Sequence, residues 1–302
     1  MRPEYSKEGL TMKKKQKTND GKFSNIFIYI ILIFLSIITI YPFVNTLISS
    51  LSPYGTSYES WKSFFGGFGT NSWKMILGSS YMWRGFFNSV VRTVLGSALS
   101  LFLQVTIAYP LSKKRFFGHR VFNFMIVLST VLSAGIIPNY ILIKNLGLMD
   151  TIWALIFPSA ISGFNVIVLK NFYAELPMEI EEAAKIDGAN DLQIFFKIII
   201  HMALPSIATI ALWTIVGGWN EWFNAVLYIS DREKMLLPAI LRELIQNETD
   251  ASFTTTAIGD VVPNTESMKA AATMFVTIPI ILVYPFLQRF FVKGLTVGAV
   301  KG

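Results

Sequence analysis

The sequence predicts an all-α, multi-pass membrane protein of six helices with both termini on the cytoplasmic side. Three observations carry that expectation. Of 302 residues, 53% are hydrophobic and only 15% charged, where a soluble domain carries about a quarter charged. The apolar residues gather into runs near the roughly 20-residue length that crosses a hydrocarbon core as a helix. The most basic segments, 1–25 and 113–120, and the most acidic loop, 230–269, fall on opposite sides of the membrane in this order of spans, as the positive-inside rule requires. Mean hydropathy is +0.51 and the net charge is +7, read here as topology rather than as a nucleic-acid surface. The 25 Phe, 7 Trp and 11 Tyr come with no Cys, which excludes disulfides and thiolate metal sites without naming a compartment.

The first span, Ile26 to Ile48, contains no charge. Before it stands a basic leader, 1–25, with Arg2, Lys7, Lys13, Lys14, Lys15, Lys17 and Lys22. Its polar length, the long run that follows and the lack of a small-residue cleavage site argue against a cleavable signal peptide. The second span, about Phe87 to Leu111, holds one charge, Arg92. KKRFFGHR at 113–120 closes it on the basic, inner side. The third and fourth run about Phe122 to Ile143 and Ile152 to Phe172, joined by a short outer turn. The fifth covers about Leu204 to Ile229 and the sixth about Ala270 to Phe291. Outer loops are then 49–86, rich in Gly, Ser and aromatics, and 230–269, with seven acids against four bases. The tail, 292–302, lies inside with the leader.

One inner loop departs from the pattern. EEAAKIDGAN, 181–190, packs four ionisable groups into its first seven residues and is more acidic than basic. Acids weigh little in the rule, so its placement inside stands. Its punctuation is that of a short helix and a sharp turn. Pro177 suits a first turn, and Glu179, Glu181 and Glu182 favour the positive end of the helix dipole. Gly188 can take the left-handed conformation that ends a helix, and Asn190 or Asp191 can cap the next one, DLQIFFKIII. Ala183 and Ala184 remove bulk from one face, which would let a partner's backbone approach. Two readings fit these residues equally: a docking plug for another protein, or a solvated loop helix of ordinary helix formers.

The same residues resemble the EAA loop of binding-protein-dependent ABC importer permeases, with Glu182, Ala183, Ala184 and Gly188 at the family spacing. EAAKIDGA is similar to the carbohydrate-uptake branch that includes the inner-membrane subunits of maltose transporters. Four further stretches carry the likeness in order: NSVVRTVLGSALSLFLQVTIAYPLSKKRF (88–116), NLGLMDTIWALIFP (145–158), GGWNEWFNAVLYI (217–229) and YPFLQRFFVKGLTVGAVKG (284–302). The last resembles the tail of the second maltose permease.

The resemblance implies the six-helix type I importer fold and a multi-pass place in the cell membrane. It also implies a loop, 175–201, that docks on an ATPase through Glu182, Ala183, Ala184, Asp187, Gly188 and Ala189. It places Gly294, Lys301 and Gly302 near the ATPase. The implied partners are a second homologous permease, an ABC ATPase dimer and an extracellular solute-binding protein, with carbohydrate as cargo. The loop departs from the family at its close: where Ile-x-Leu-Pro is usual, this chain has Ile198, Ile199, Ile200 and His201, with the next proline at Pro205. His201 keeps a helix donor that proline lacks, so a milder bend, or one shifted to Pro205, is expected.

No G-x-x-x-x-G-K-[ST] and no H-E-x-x-H occurs, so neither a Walker phosphate loop nor that zinc site is available. The chain is expected to be no enzyme, with ATP and Mg held by the partner ATPase. Polar residues within spans are costly and often functional. Asn165, Asn220, Glu221, Asn224 and Trp219 are the candidates for a sugar path, with Asn45, Gln104, Trp213 and Trp222 beside them. Helix-to-helix hydrogen bonding, worth about 1 kcal/mol each, is the competing role. Glu221 is expected near the outer surface, where an acid needs no special partner. The alternative function, an ATP-independent channel or secondary carrier, predicts charged groups at the midplane and no docking loop.

Overall fold

The computed structural model describes residues 20–52, 68–246 and 265–299, with side chains for 25–52, 68–246, 265–283 and 285. The leader before 20 and the tail residues Lys301 and Gly302 lie outside the described residues. Every regular element described is helical. The chain divides into two units, Met1–Thr46 and Leu47–Gly302.

The first unit is formed by most of helix α1, Asp20–Ser50. Its apolar side chains are exposed from Ile26 to Val44, the pattern of a helix whose solvent is hydrocarbon rather than water. Ser36, Thr39 and Thr46 return their hydroxyls to carbonyls four residues back, Leu32, Leu35 and Pro42. No polar hydrogen on them is left facing lipid.

The second unit begins with α2, Asn71–Gly78, and α3, Ser80–Ser112. Ser79 caps α3 by accepting from the Met82 N–H. The 33 residues of α3 would reach about 50 Å at 1.5 Å each. The buried side of this helix is a row of small and polar residues: Ser89, Thr93, Gly96, Ser97, Ser100 and Ala108. Such residues let helices approach closely in a membrane, where hydrophobicity does not drive association. Accordingly α3 is the centre of the unit, packed against α7 (Gly163–Ala174) and α10 (Leu204–Trp219).

Between these lie α4 (His119–Val131), α5 (Ile136–Asn145) and α6 (Ile152–Ser159, the last three residues 3₁₀). The loop 175–201, expected on the inner side, forms α8 (Met178–Ile186) and α9 (Asp191–Met202). After α10 come α11 (Phe223–Tyr228), α12 (Leu237–Gln246) and α13 (Thr265–Ala299).

Among the described residues three helices are long and apolar enough to cross a membrane, and the count rises to six if each of three bent pairs is one span. The expected third and fourth spans are broken in this way. The expected third span is two helices, α4 and α5, at 114°. Gly135 (φ +85°) turns the chain there, and its N–H is held by Ser133 Oγ at 3.3 Å. Residues 132–137 carry no charge and only one polar side chain, Ser133, through the bend, which is why hydropathy runs on across it. The expected fourth span bends by 48° between α6 and α7. The expected fifth stops as a helix at Trp219, and Asn220–Trp222 interrupt it before α11.

Of the two alternatives for the bend after His201, the shift toward Pro205 is the one seen: it falls at Ala203, between α9 and α10, and measures 78°. Pro205 sits in the first turn of α10 and has no N–H to give the His201 carbonyl. A π-turn, Phe195–Ile199, precedes the bend, and such turns also deflect helices.

Three clusters make the core. One gathers the inner half of α3 with α7, α8, α9 and the start of α10, including Ala108, Leu169, Tyr173, Ala184 and Phe195. A second joins α2 and the outer end of α3 to Trp219, α12 and α13. The third holds Ile143, Leu155, Tyr228 and Leu236 together under the outer loops.

Candidate functional site

Two places concentrate polar chemistry: the inner loop and the break after α10. The inner loop is built from local devices. Glu179 and Glu181 stand in the first turn of α8, beside its unpaired N–H groups, with Pro177 just before them as the cap residue. The helix ends in a Schellman turn, with the Ala189 N–H on the Ala184 carbonyl at 2.9 Å and the Gly188 N–H on the Lys185 carbonyl at 3.0 Å. Gly188 has φ +84°, and a Cβ added there would meet nothing within 4 Å. Glycine is needed at that point for the backbone angle alone.

Asn190 then caps α9 in a capping box. Its Oδ1 accepts from the Gln193 N–H at 2.8 Å, and Gln193 Oε1 accepts from the Asn190 N–H at 3.0 Å. Lys185 and Asp191 pair across the turn at 3.0 Å.

Burial divides α8 into two faces. Glu181 and Ala184 are both 8% exposed and look into the inner core. Glu182, Ala183, Lys185, Asp187 and Gly188 are exposed, and Ile186 is 86% exposed. Ala184, expected on a docking face beside Ala183, therefore lies on the opposite side, and Ala189 is half-buried with it. Glu181 pairs with Lys113 at the end of α3, 68 residues away in sequence. Gly294 falls within α13.

The second place centres on Arg92, which is 4% exposed. Its Nη2 donates to the Leu155 carbonyl at 3.1 Å and to Ser159 Oγ at 3.2 Å, and lies 3.8 Å from Glu221 Oε2. Room for the guanidinium comes from Gly218, where an added Cβ would stand 2.5 Å from Arg92 Nη1. Glu221 accepts from the Asn224 N–H at 3.0 Å and from its Nδ2 at 3.2 Å. The acid expected to need no partner thus has two. Arg92 Nε, Thr93 Oγ1, Ser97 Oγ and Gln104 Oε1 are buried with no hydrogen-bond partner among the described residues, a polar string along α3.

The expected sugar-path residues do not converge. Glu221 and Asn224 are brought together, and Asn220 beside them is exposed. Asn165 is buried at the start of α7, its N–H on Ser162 Oγ at 3.4 Å. Trp219 points into the second core, where its indole N–H donates to the Val276 carbonyl at 3.1 Å and its ring meets Phe86 edge-on at 5.9 Å. Trp222 lies under the Arg242 guanidinium, 3.6 Å from the ring centroid. Aromatic faces stay open elsewhere, as at Phe164 and Trp213, 57% and 42% exposed and 5.7 Å apart, and at the stacked Trp153 and Phe157, 5.2 Å apart.

Asp150 ties two loops, its Oδ1 accepting from the Ser230 and Asp231 N–H groups at 2.5 and 2.9 Å. These bonds, Asp231's foremost, hold its carboxyl below its ordinary pKa. Among the described residues no group of three or more His, Asp or Glu could hold a metal ion.

Comparison with known proteins places the whole arrangement. A family profile described as "Binding-protein-dependent transport system inner membrane component" matches residues 96–297. The polygalacturonan/rhamnogalacturonan transport system permease protein YtcP of Bacillus subtilis (strain 168) is 37% identical over 92% of this chain and 98% of its own length. Protein LplC of the same organism is 40% identical over 88% and 90%. A subunit in the crystal structure of a bacterial ABC transporter involved in import of the acidic polysaccharide alginate superposes with TM-score 0.80. It shares 28% identity, over 96% of this chain and 100% of that one.

Proposed function

The chain belongs to the family of binding-protein-dependent transport system inner membrane components, and from that premise we propose that it is one of two permease subunits of an ATP-driven importer for oligosaccharides cut from complex glycans. The relatives' named cargoes, polygalacturonan, rhamnogalacturonan and alginate, support a carbohydrate. In this reading the three straight helices and three bent pairs make six spans, with both termini in the cytoplasm. A second permease completes the pathway, a pair of ABC ATPase subunits supplies ATP and Mg chemistry, and an extracellular binding protein delivers the sugar.

The observation that carries the proposal is the two-faced helix α8. Its Glu181–Ala184 side is built into the chain's own core, while Glu182, Ala183 and Ile186 face outward. Ile186 at 86% exposure forgoes about 1.5 to 3 kcal/mol that burial of an isoleucine yields. A helix anchored on one side and apolar at its free tip is shaped to be gripped by a protein. Closing of the ATPase pair would push on that tip, and the rigid turns at Gly188 and Asn190 would carry the push into α9 and α10. The open Phe164–Trp213 pair offers a face on which a sugar ring or the second permease can rest.

The test is purification of the tagged chain from its own cells in mild detergent, with the co-purifying proteins identified by mass spectrometry. An ABC ATPase and a second permease are expected at stoichiometric ratio, and Gly188→Arg should lose the ATPase while keeping the permease. A folded wild-type chain that emerges alone would overturn the proposal in favour of an ATP-independent carrier.

A further inference from the structure

We propose that Lys113 and Glu181 form the joint through which movement of α8 reaches α3, so that the inner half of the bundle answers the ATPase as one body. This rests on the coupling reading above and names the residues on which it depends.

Helix α8 has nine residues and is joined to the rest of the chain through Leu176–Pro177 on one side and the Gly188 turn on the other. A push at Ile186 would swing so short a helix about those two points unless something held its inner face. Ala184 gives that face packing but no direction. Glu181, one turn earlier on the same face, gives it a charged bond.

The partner of Glu181 stands where three elements converge. Lys113 is the cap residue of α3, its N–H returned to the Pro110 carbonyl at 3.1 Å. Its ammonium is hydrogen-bonded to Glu181 Oε1 and sits 5.0 Å from the centroid of the Tyr109 ring. Tyr109 in turn packs 4.9 Å from Phe195 of α9 and 6.1 Å from Tyr173 of α7. One cation thus bonds α8 to the end of α3, beside an aromatic contact shared by α7 and α9. The neighbouring residues Lys114 and Arg115 are exposed, so position 113 differs from them in placement, not in kind.

The bond is sheltered: the Glu181 side chain is 11% exposed and that of Lys113 33%. A charge-assisted hydrogen bond with one partner buried is directional and costly to break by removing one side. What it pulls on is a rod. At its outer end α3 holds the segment after α11 through Asn88 Nδ2, which donates to the Glu233 and Met235 carbonyls at 2.9 and 3.1 Å. Ser89 Oγ there accepts from the Leu237 N–H at 2.8 Å. Displacement of Lys113 therefore reaches the outer loops along a single helix.

The experiment uses the complete transporter, with partners as purified, in liposomes, and reads oligosaccharide imported per ATP hydrolysed. Glu181→Gln and Lys113→Gln should each keep the ATPase bound and its hydrolysis within about twofold. Import per ATP should fall by about tenfold, the scale of one charge-assisted bond. The exchange Lys113→Glu with Glu181→Lys should restore most of it. Should single variants fail to fold, Glu181→Met with Lys113→Met removes both charges together and leaves none unpaired; it is expected to fold and remain uncoupled. Wild-type import per ATP in the singles or in the Met pair would overturn the joint. Loss of the ATPase from the singles would overturn it too, since the pair would then only shape a docking surface. A wild-type chain that holds no ATPase would overturn the coupling reading itself, and the joint with it.

Discussion

The inner loop and the break after α10 are both polar, yet they are assembled in opposite ways. The loop is made of neighbours: Ala189 bonds Ala184, Gly188 bonds Lys185, and Asn190 and Gln193 bond each other. Around Arg92 the partners lie 63 and 67 residues away in Leu155 and Ser159, and the space is provided by Gly218. The loop leaves Glu182, Lys185 and Asp187 exposed together with the apolar Ile186. The outer zone hides a cation in the bundle. Damage to the first should alter coupling while the fold stands; damage to the second should cost the fold.

That contrast can be broken most forcefully at Arg92. Arg92→Ala removes the bonds to the Leu155 carbonyl and Ser159 Oγ, leaves a void where the guanidinium lay and takes the cation from the half-buried Glu221, and a loss of about 3 kcal/mol is expected. It would be read as a lowered Tm of the detergent-solubilised protein; an unchanged Tm would deny that the zone is a long-range clamp. Gly218→Ala comes next, at about 1 to 3 kcal/mol for overpacking against the guanidinium. In the double variant the two losses should not add, because with Arg92 truncated the new methyl has room.

Gly188→Ala should cost about 1 to 2 kcal/mol, since an alanine must hold the left-handed angle. The cost should appear as faster amide exchange across 184–193 while Tm of the membrane part hardly moves. The smallest effect is expected at Asp150. Its carboxyl titrates below its ordinary 3.8, so its tie to the 230–231 loop is fully present above that pH and is lost as pH falls through the lower folded value. Asp150→Asn should abolish that acid dependence in limited proteolysis of the outer loops and leave neutral-pH stability nearly unaltered.

Legibility followed the same division. Gly188, Asn190 and the acids of the first turn of α8 carry their meaning within a few residues, so the helix–turn–helix could be read directly. The spans could be read because apolar runs report burial in lipid. The 114° fold between α4 and α5 could not, because the run continues through it and the signal is one glycine in a positive-φ conformation. Glu181 and Glu182 look alike in a list of acids; which one turns inward depends on how α8 lies against α3. Arg92 stood out as a charge inside a span, but its counterparts, spread over three other segments, did not. Trp219 was misplaced for a related reason: an aromatic beside polar residues suits a sugar path or a core, and only packing decides between them.

The most direct measurement uses the fact that the chain has no cysteine. Single cysteines at Ala183, Ala184 and Ile186, one per variant, would each be treated with a short bifunctional thiol–amine crosslinker in native membranes. The account predicts a product joining this chain to the ATPase from positions 183 and 186 and none from 184, which faces the chain's own core. Equal products from all three, or none from any while the ATPase is present, would contradict it.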